Sequence, residues 1–158
     1  MMHSSQLSTK SWQLTRNVLL TIGLVLSLIG FFDATYLTVT HYAGTELNCP
    51  LFGGCETVTT SIYSMVGGIP VALWGAGYYL TVLVLLLAYW DSRYEVLWRI
   101  ATRMTMLGFL AALWFVFLQL FVIHAVCFYC MISAGTSTLL FVWGVWAWYE
   151  RIAWRNVC

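Results

Sequence analysis

The chain has 158 residues, 61% of them hydrophobic and 8% charged, against the roughly 25% charged of a water-soluble domain. That balance excludes an ordinary soluble fold. A formal net charge of +1 without a basic stripe also excludes a nucleic-acid binder, whose footprint is a clustered cationic face.

Crossing a hydrocarbon core of about 30 Å takes about 20 mostly apolar residues, and four stretches meet that length, at about 17–39, 70–90, 104–123 and 127–148. The expected fold is an all-α integral membrane bundle of four transmembrane helices over residues 17–148. Residues 1–16 and 149–158 are expected to be a cytoplasmic N-terminal segment and a cytoplasmic C-terminal tail. The first span follows a basic start, as a signal peptide does. Its apolar run continues into Phe31-Phe32-Asp33-Ala34-Thr35-Tyr36 without a small-x-small cleavage site, so it reads as a retained anchor. Asp33 lies inside that span, where carboxylates are costly and often functional, but no role is assigned to it.

The loop at 40–69 carries Cys49-Pro50-Leu51-Phe52-Gly53-Gly54-Cys55. Next, Glu56 to Met65 places Val58, Ile62 and Met65 at helix-like spacing, which predicts a short interfacial helix lidding the bundle. Gly67 and Gly68 read as turn residues, and Pro70 opens the second span where a missing N–H costs nothing. Arg93, Arg99 and Arg103 fall between the second and third spans. From Met104 to Tyr149 there is no Asp, Glu, Lys or Arg; this run is too long for one crossing, and His124 marks the expected turn. Cys127-Phe128-Tyr129-Cys130 then starts the fourth span.

All seven basic residues lie before the first span, between the second and third, or after the fourth. The positive-inside rule therefore puts both termini and the middle loop in the cytoplasm. Four of the five cysteines, Cys49, Cys55, Cys127 and Cys130, then share the outer side, where disulfides form and persist. They make two possible redox pairs. The Cys127–Cys130 spacing suits a helix-start thiol held as thiolate by the helix dipole, although C-x-x-C is also half of many zinc sites. The Cys49–Cys55 loop, with glycines that permit a tight mobile turn, is either the second redox pair or a static staple.

His124 either serves the nearby thiols or meets water at the boundary. Gln119 is read as an interhelical hydrogen-bonding residue. Of the many aromatic residues, Trp12, Trp90, Trp98, Trp146, Trp148 and Trp154 fall at predicted interfaces, as an aromatic belt does. Trp74, Tyr78 and Phe128, near the outward ends of their helices, are the candidates for a ligand pocket.

Together these motifs resemble the vitamin K epoxide reductase (VKOR) family in its bacterial form. The likeness rests on Cys49-x5-Cys55, on Ser61 six residues later, on Gly68-Ile69-Pro70, on Cys127-x2-Cys130, and on Tyr36-Leu37-Thr38 before the loop. It spans roughly residues 17–148. It implies a four-helix bundle around a quinone of ubiquinone, menaquinone or vitamin K type. It further implies that Cys49 exchanges with a thioredoxin-like partner, Cys55 attacks Cys127, and Cys130 is the thiolate that reduces the quinone, supported by Ser61. Two features depart from the pattern: no fused thioredoxin-like domain follows the fourth span, which implies a separate partner protein, and Cys158 has no counterpart.

Potentials favour a quinone independently. A strongly oxidising thioredoxin-like partner sits near about −120 mV and the glutathione pool near about −220 to −260 mV, so glutathione as acceptor is uphill by roughly 5–6 kcal/mol. The expected function is therefore a membrane thiol:quinone oxidoreductase of the bacterial inner membrane that reoxidises a disulfide-forming partner. Two alternatives stay open, the same relay run for vitamin K epoxide or quinone reduction and a non-catalytic metal-binding membrane scaffold. A channel would need more polar residues than Asp33, Gln119 and His124.

Overall fold

The computed structural model describes residues 2–44 and 54–155. Helix α1 (Met2–Ala43) is followed by the short helix α2 (Cys55–Thr59), a 3₁₀ turn (Ile62–Ser64) and a hairpin of β1 (Met65–Val66) with β2 (Ile69–Pro70). Helix α3 (Val71–Ser92) comes next, then α4 (Glu95–Phe117), which continues as a π-helical segment (Leu118–Ile123), and finally α5 (Phe128–Arg155). Four helical stretches are long and apolar enough to cross a membrane: Gln13–Ala43, Val71–Ser92, Glu95–Ile123 and Phe128–Ile152. The protein is an all-α membrane bundle.

Helix α1 packs on α3 and α5, and α4 on α5 and α3. The seam is filled by Leu20, Val82, Leu86 and Leu140, all fully buried, while Val18, Ile22, Val25, Leu80, Val84 and Leu87 face outward. Lipid tails are as apolar as these side chains, so close packing and hydrogen bonds must hold the helices together. Tyr79 supplies both. Its ring lies against Gly30 of α1, where a Cβ would collide with it. Its hydroxyl reaches α5 at the Ser133 carbonyl (2.7 Å), Thr136 Oγ1 (2.9 Å) and Ser137 Oγ (2.8 Å). At the other end the Trp143 indole N–H donates to the Leu19 carbonyl at 2.7 Å.

Several local features differ from the sequence expectation. The helix expected over 56–65 is broken: α2 ends at Thr59, and Ser61 is extended with ψ 155°. The hydroxyls of Thr59, Thr60, Ser61 and Ser64 each bond a backbone carbonyl three or four residues back, which offers the backbone an alternative to continued helix. Gly67 and Gly68, at φ +62° and +79°, then close the hairpin, a conformation that demands glycine-like residues at both central positions.

The expected middle loop shrinks to Arg93 and Tyr94, so Arg99 and Arg103 lie on α4. Arg93 is left-handed (φ +55°) and makes the turn, and Glu95 sits in the first turn of α4, where its charge complements the helix dipole. Likewise, α1 and α5 run without a break across 16/17 and 148/149. Long arginine side chains reach water from within a helix end, so charge alone marked these helix ends too far inward. At this end Glu95 pairs with Arg16 at 3.4 Å and Arg151 at 3.3 Å, and Arg16 also donates to the Tyr89 hydroxyl.

Candidate active site

The opposite end of the bundle holds the cysteines. Residues 124–127 form the reversal between the π segment and α5. His124 turns the chain in the left-handed region (φ +54°). Its N–H and that of Ala125 both reach the Gln119 carbonyl, while the Gln119 side-chain Oε1 accepts the Cys127 N–H at 3.0 Å. Gln119 therefore holds the start of the C-x-x-C from its backbone and its side chain at once. The π geometry permits this, since a widened turn re-aims side chains within a helix.

Cys127 stands immediately before α5, and its Sγ accepts the Cys130 N–H at 3.4 Å, the arrangement of an N-terminal cap. Cys127 is fully buried and Cys130 half-buried, and both are free thiols. A hydrogen bond from the Cys130 side chain holds the Cys127 thiol below its ordinary range, against burial, which pushes it up.

Cys55 is 1% exposed and disulfide-bonded, and it shares a buried cluster with Val58 and Cys127. The preceding residue makes this proximity possible. A Cβ on Gly54 would sit 2.9 Å from both the nitrogen and the oxygen of Val126, so only glycine lets α2 begin against the backbone that leads into Cys127.

Beside the cysteines, between α1, α3, α4 and α5, lies a cavity of about 360 Å³. Cys130 is on its wall and Cys127 is not. One sulfur of the pair therefore faces the loop cysteine and the other faces the cavity. The family model for the vitamin K epoxide reductase family matches residues 21–145, which spans all four crossing helices and both described cysteine sites. The chain belongs to the vitamin K epoxide reductase family. In general this is a family of membrane oxidoreductases acting on thiols, disulfides and quinones. No curated protein matches the chain.

Within this VKOR bundle, Ser61, Trp74 and Tyr78 lie on the cavity wall with Cys130. The Ser61 hydroxyl donates to the Val58 carbonyl at 2.8 Å, which leaves its lone pairs as the part available to a ligand. The Tyr78 ring lies against Gly108, and its hydroxyl is buried without a hydrogen-bond partner among the described residues. Phe128 is the exception among the pocket candidates. It is absent from the cavity wall; its ring meets Tyr129 edge-on at 5.7 Å and packs on the Cys55–Val58–Cys127 cluster. The reason is helical: two positions before Cys130 on α5 points about 200° away from it. Cys49 and Cys158 lie outside the described residues.

Sequence reasoning missed two features. The first is the Gln119 grip on Cys127. The second is the hydroxyl group of Tyr79, Ser133 and Ser137, all on the cavity wall. The latter had a signal, because Ser133 and Ser137 recur three and seven residues after Cys130 and so share its face of α5. Asp33 Oδ2 is buried without a hydrogen-bond partner among the described residues, and α1 meets the C-x-x-C segment through Tyr36, whose ring lies 5.1 Å from that of Tyr129. Among the described residues no three His, Cys, Asp or Glu side chains are grouped as metal ligands, and Cys55, being in a disulfide, has no thiolate to offer one.

Proposed function

We propose that this protein is a thiol:quinone oxidoreductase that reoxidises a separate, extracytoplasmic thioredoxin-like protein, with both chain termini in the cytoplasm. One observation carries the reading: Cys55 is buried against Cys127, while Cys130 opens on a cavity that Cys127 does not reach. A relay needs this division of labour between neighbouring sulfurs. The cavity suits a quinone head group. Its volume of about 360 Å³ falls in the usual range for small ligands, about 300–1,000 Å³. Its walls are largely apolar, with Leu37, Leu107, Ala111 and Val116 interrupted by a few polar groups.

In this reading the partner's dithiol reduces a Cys49–Cys55 disulfide, with Cys49 as the exchanging sulfur. The Cys55 thiolate attacks Cys127 of the oxidised C-x-x-C, and Cys130 leaves as thiolate. Cys49 then attacks Cys55, which breaks the Cys55–Cys127 bond and frees the Cys127 thiol. Bound quinone supplies a sink for two electrons and two protons. Cys130 delivers the electron pair into the cavity and Cys127 closes the disulfide on it, with protons from the thiol pair and from water. The arrangement described above, Cys55 oxidised with Cys127 and Cys130 free, corresponds to the stage at which the electrons await the quinone. The hydrogen bond that lowers the Cys127 thiol keeps that sulfur ready as the resolving nucleophile.

The test is to mix the purified protein in detergent with quinone and a reduced thioredoxin-like dithiol and follow quinone absorbance. Cys130→Ala is expected to abolish reduction with either electron source, a loss on the order of 10³-fold or more for an essential nucleophile. Cys49→Ala is expected to lose reduction driven by the protein dithiol while keeping reduction driven by a small permeant thiol. If both variants turn over like the parent, the relay is wrong.

A further inference from the structure

Gln119 lies on the cavity wall and is only 3% exposed. A neutral amide has one acceptor oxygen and one donor nitrogen. Which end is which is settled here by the backbone, because the Cys127 N–H can only donate, so the atom facing it must be Oε1. The Nε2 donor group is thereby turned away from Cys127, and it has no hydrogen-bond partner among the described residues. The face that Gln119 leaves open is the cavity, the same one that holds Cys130.

An amide N–H fixed on a largely apolar wall without a partner lacks the hydrogen bond it would make in water, so its position marks the place of an acceptor. The geometry points to Gln119 as a substrate-binding catalytic residue whose amide N–H donates to a carbonyl oxygen of the quinone that Cys130 reduces. This rests on the reading of the cavity as a quinone site and deepens it.

The chemistry fits the position. As two electrons pass from the thiol pair to the ring, negative charge builds on the carbonyl oxygens, and hydrogen bonds to a charged acceptor are roughly twice as strong as neutral ones. A donor fixed in advance in a water-poor site stabilises that charge without reorganising. The same amide anchors the N–H of Cys127 through its other end. Gln119 therefore links the position of the resolving cysteine to the orientation of the ring.

The experiment is infrared difference spectroscopy of a quinone isotopically labelled at one carbonyl and bound to the full-length protein in detergent, alongside its affinity and turnover. In the parent, the carbonyl stretch of one of the two label positions is expected to fall below that of quinone in detergent alone. Gln119→Met keeps the length of the side chain and removes the donor, so that band should return towards the free value. Affinity should fall about three- to tenfold, the size of one neutral hydrogen bond, and turnover on the order of 10²-fold, as for loss of a transition-state donor. Should Gln119→Met not fold, Gln119→Glu retains an oxygen for the Cys127 N–H and is read by the same criterion. A carbonyl band at one frequency in parent and variant overturns the inference while leaving the relay intact. A parent that binds no quinone overturns both.

Discussion

The two ends of the bundle are held by different forces. At the arginine end, Glu95 draws Arg16 and Arg151 together, the Arg16 guanidinium stands 5.4 Å from the Tyr89 ring centre, and Tyr89 and Trp98 pack at 4.9 Å. At the cysteine end, the non-covalent contacts are neutral ones, such as the Gln119 amide and carbonyl bonds, a sulfur-accepted N–H, the Tyr36–Tyr129 rings and the fit of Gly54 on Val126. Charge fixes a helix end in the interface, and that end needs no movement. A disulfide relay needs sulfurs that change partners, and neutral contacts of about 1 kcal/mol each can be remade on every turn of a cycle. One end is built to stay, the other to exchange.

The sharpest way to break this comparison is Gly54→Val. A side chain there must push α2 away from the Val126 backbone, and a displacement of about 1 Å between reacting groups can cost 10²-fold in rate. Turnover driven by the partner dithiol through Cys55 is expected to fall by about that factor. Turnover driven by a small thiol acting directly on Cys127–Cys130 should change little. Stopped-flow mixing with each electron source distinguishes them, and equal losses with both sources would mean that Gly54 merely supports the fold.

A second, smaller effect concerns the charge on Cys127. Its thiol is held low chiefly by the hydrogen bond from Cys130, with burial opposing. Removing the donor in Cys130→Ala should therefore raise the pH at which Cys127 ionises, so that less thiolate is present at a given pH. Cys130→Ser, whose hydroxyl still donates, should move the midpoint less. Thiolate ultraviolet absorbance followed through a pH titration gives the order. A midpoint that is the same in both variants would assign the low value to the helix end instead.

The four crossings were legible because lipid forces long apolar runs, and the reversal at His124 because 46 residues without Asp, Glu, Lys or Arg, from Met104 to Tyr149, cannot make one span. Helix ends were less legible. Arg99 and Arg103 read as loop residues, yet a guanidinium reaches water from inside a helix, so charge does not mark where hydrogen bonding stops. The C-x-x-C was visible as a motif. That Cys130 and not Cys127 meets the cavity is a matter of helical phase combined with a π turn that no periodicity announces. Phe128 lies off the cavity wall for a related reason: nearness in sequence to Cys130 sets it on the same level of the bundle but on another face of α5.

The smallest expected effect lies at the end built to stay. Both ion pairs among the described residues here go to a Glu95 side chain that is 44% exposed, and pairs in such a setting contribute at most about 1 kcal/mol. Glu95→Gln should lower thermal stability in detergent only slightly and leave quinone turnover within about twofold, since neither of these two ion pairs touches a sulfur or the cavity. The loss should shrink further at high salt, where exposed charges are screened within about 3 Å at 1 M. A large loss of turnover with an intact fold would mean that the two ends communicate along α4, which carries Glu95 at its start and leads into Gln119 at its end. The contrast between a fixed end and an exchanging end would then have to give way to a single coupled rod.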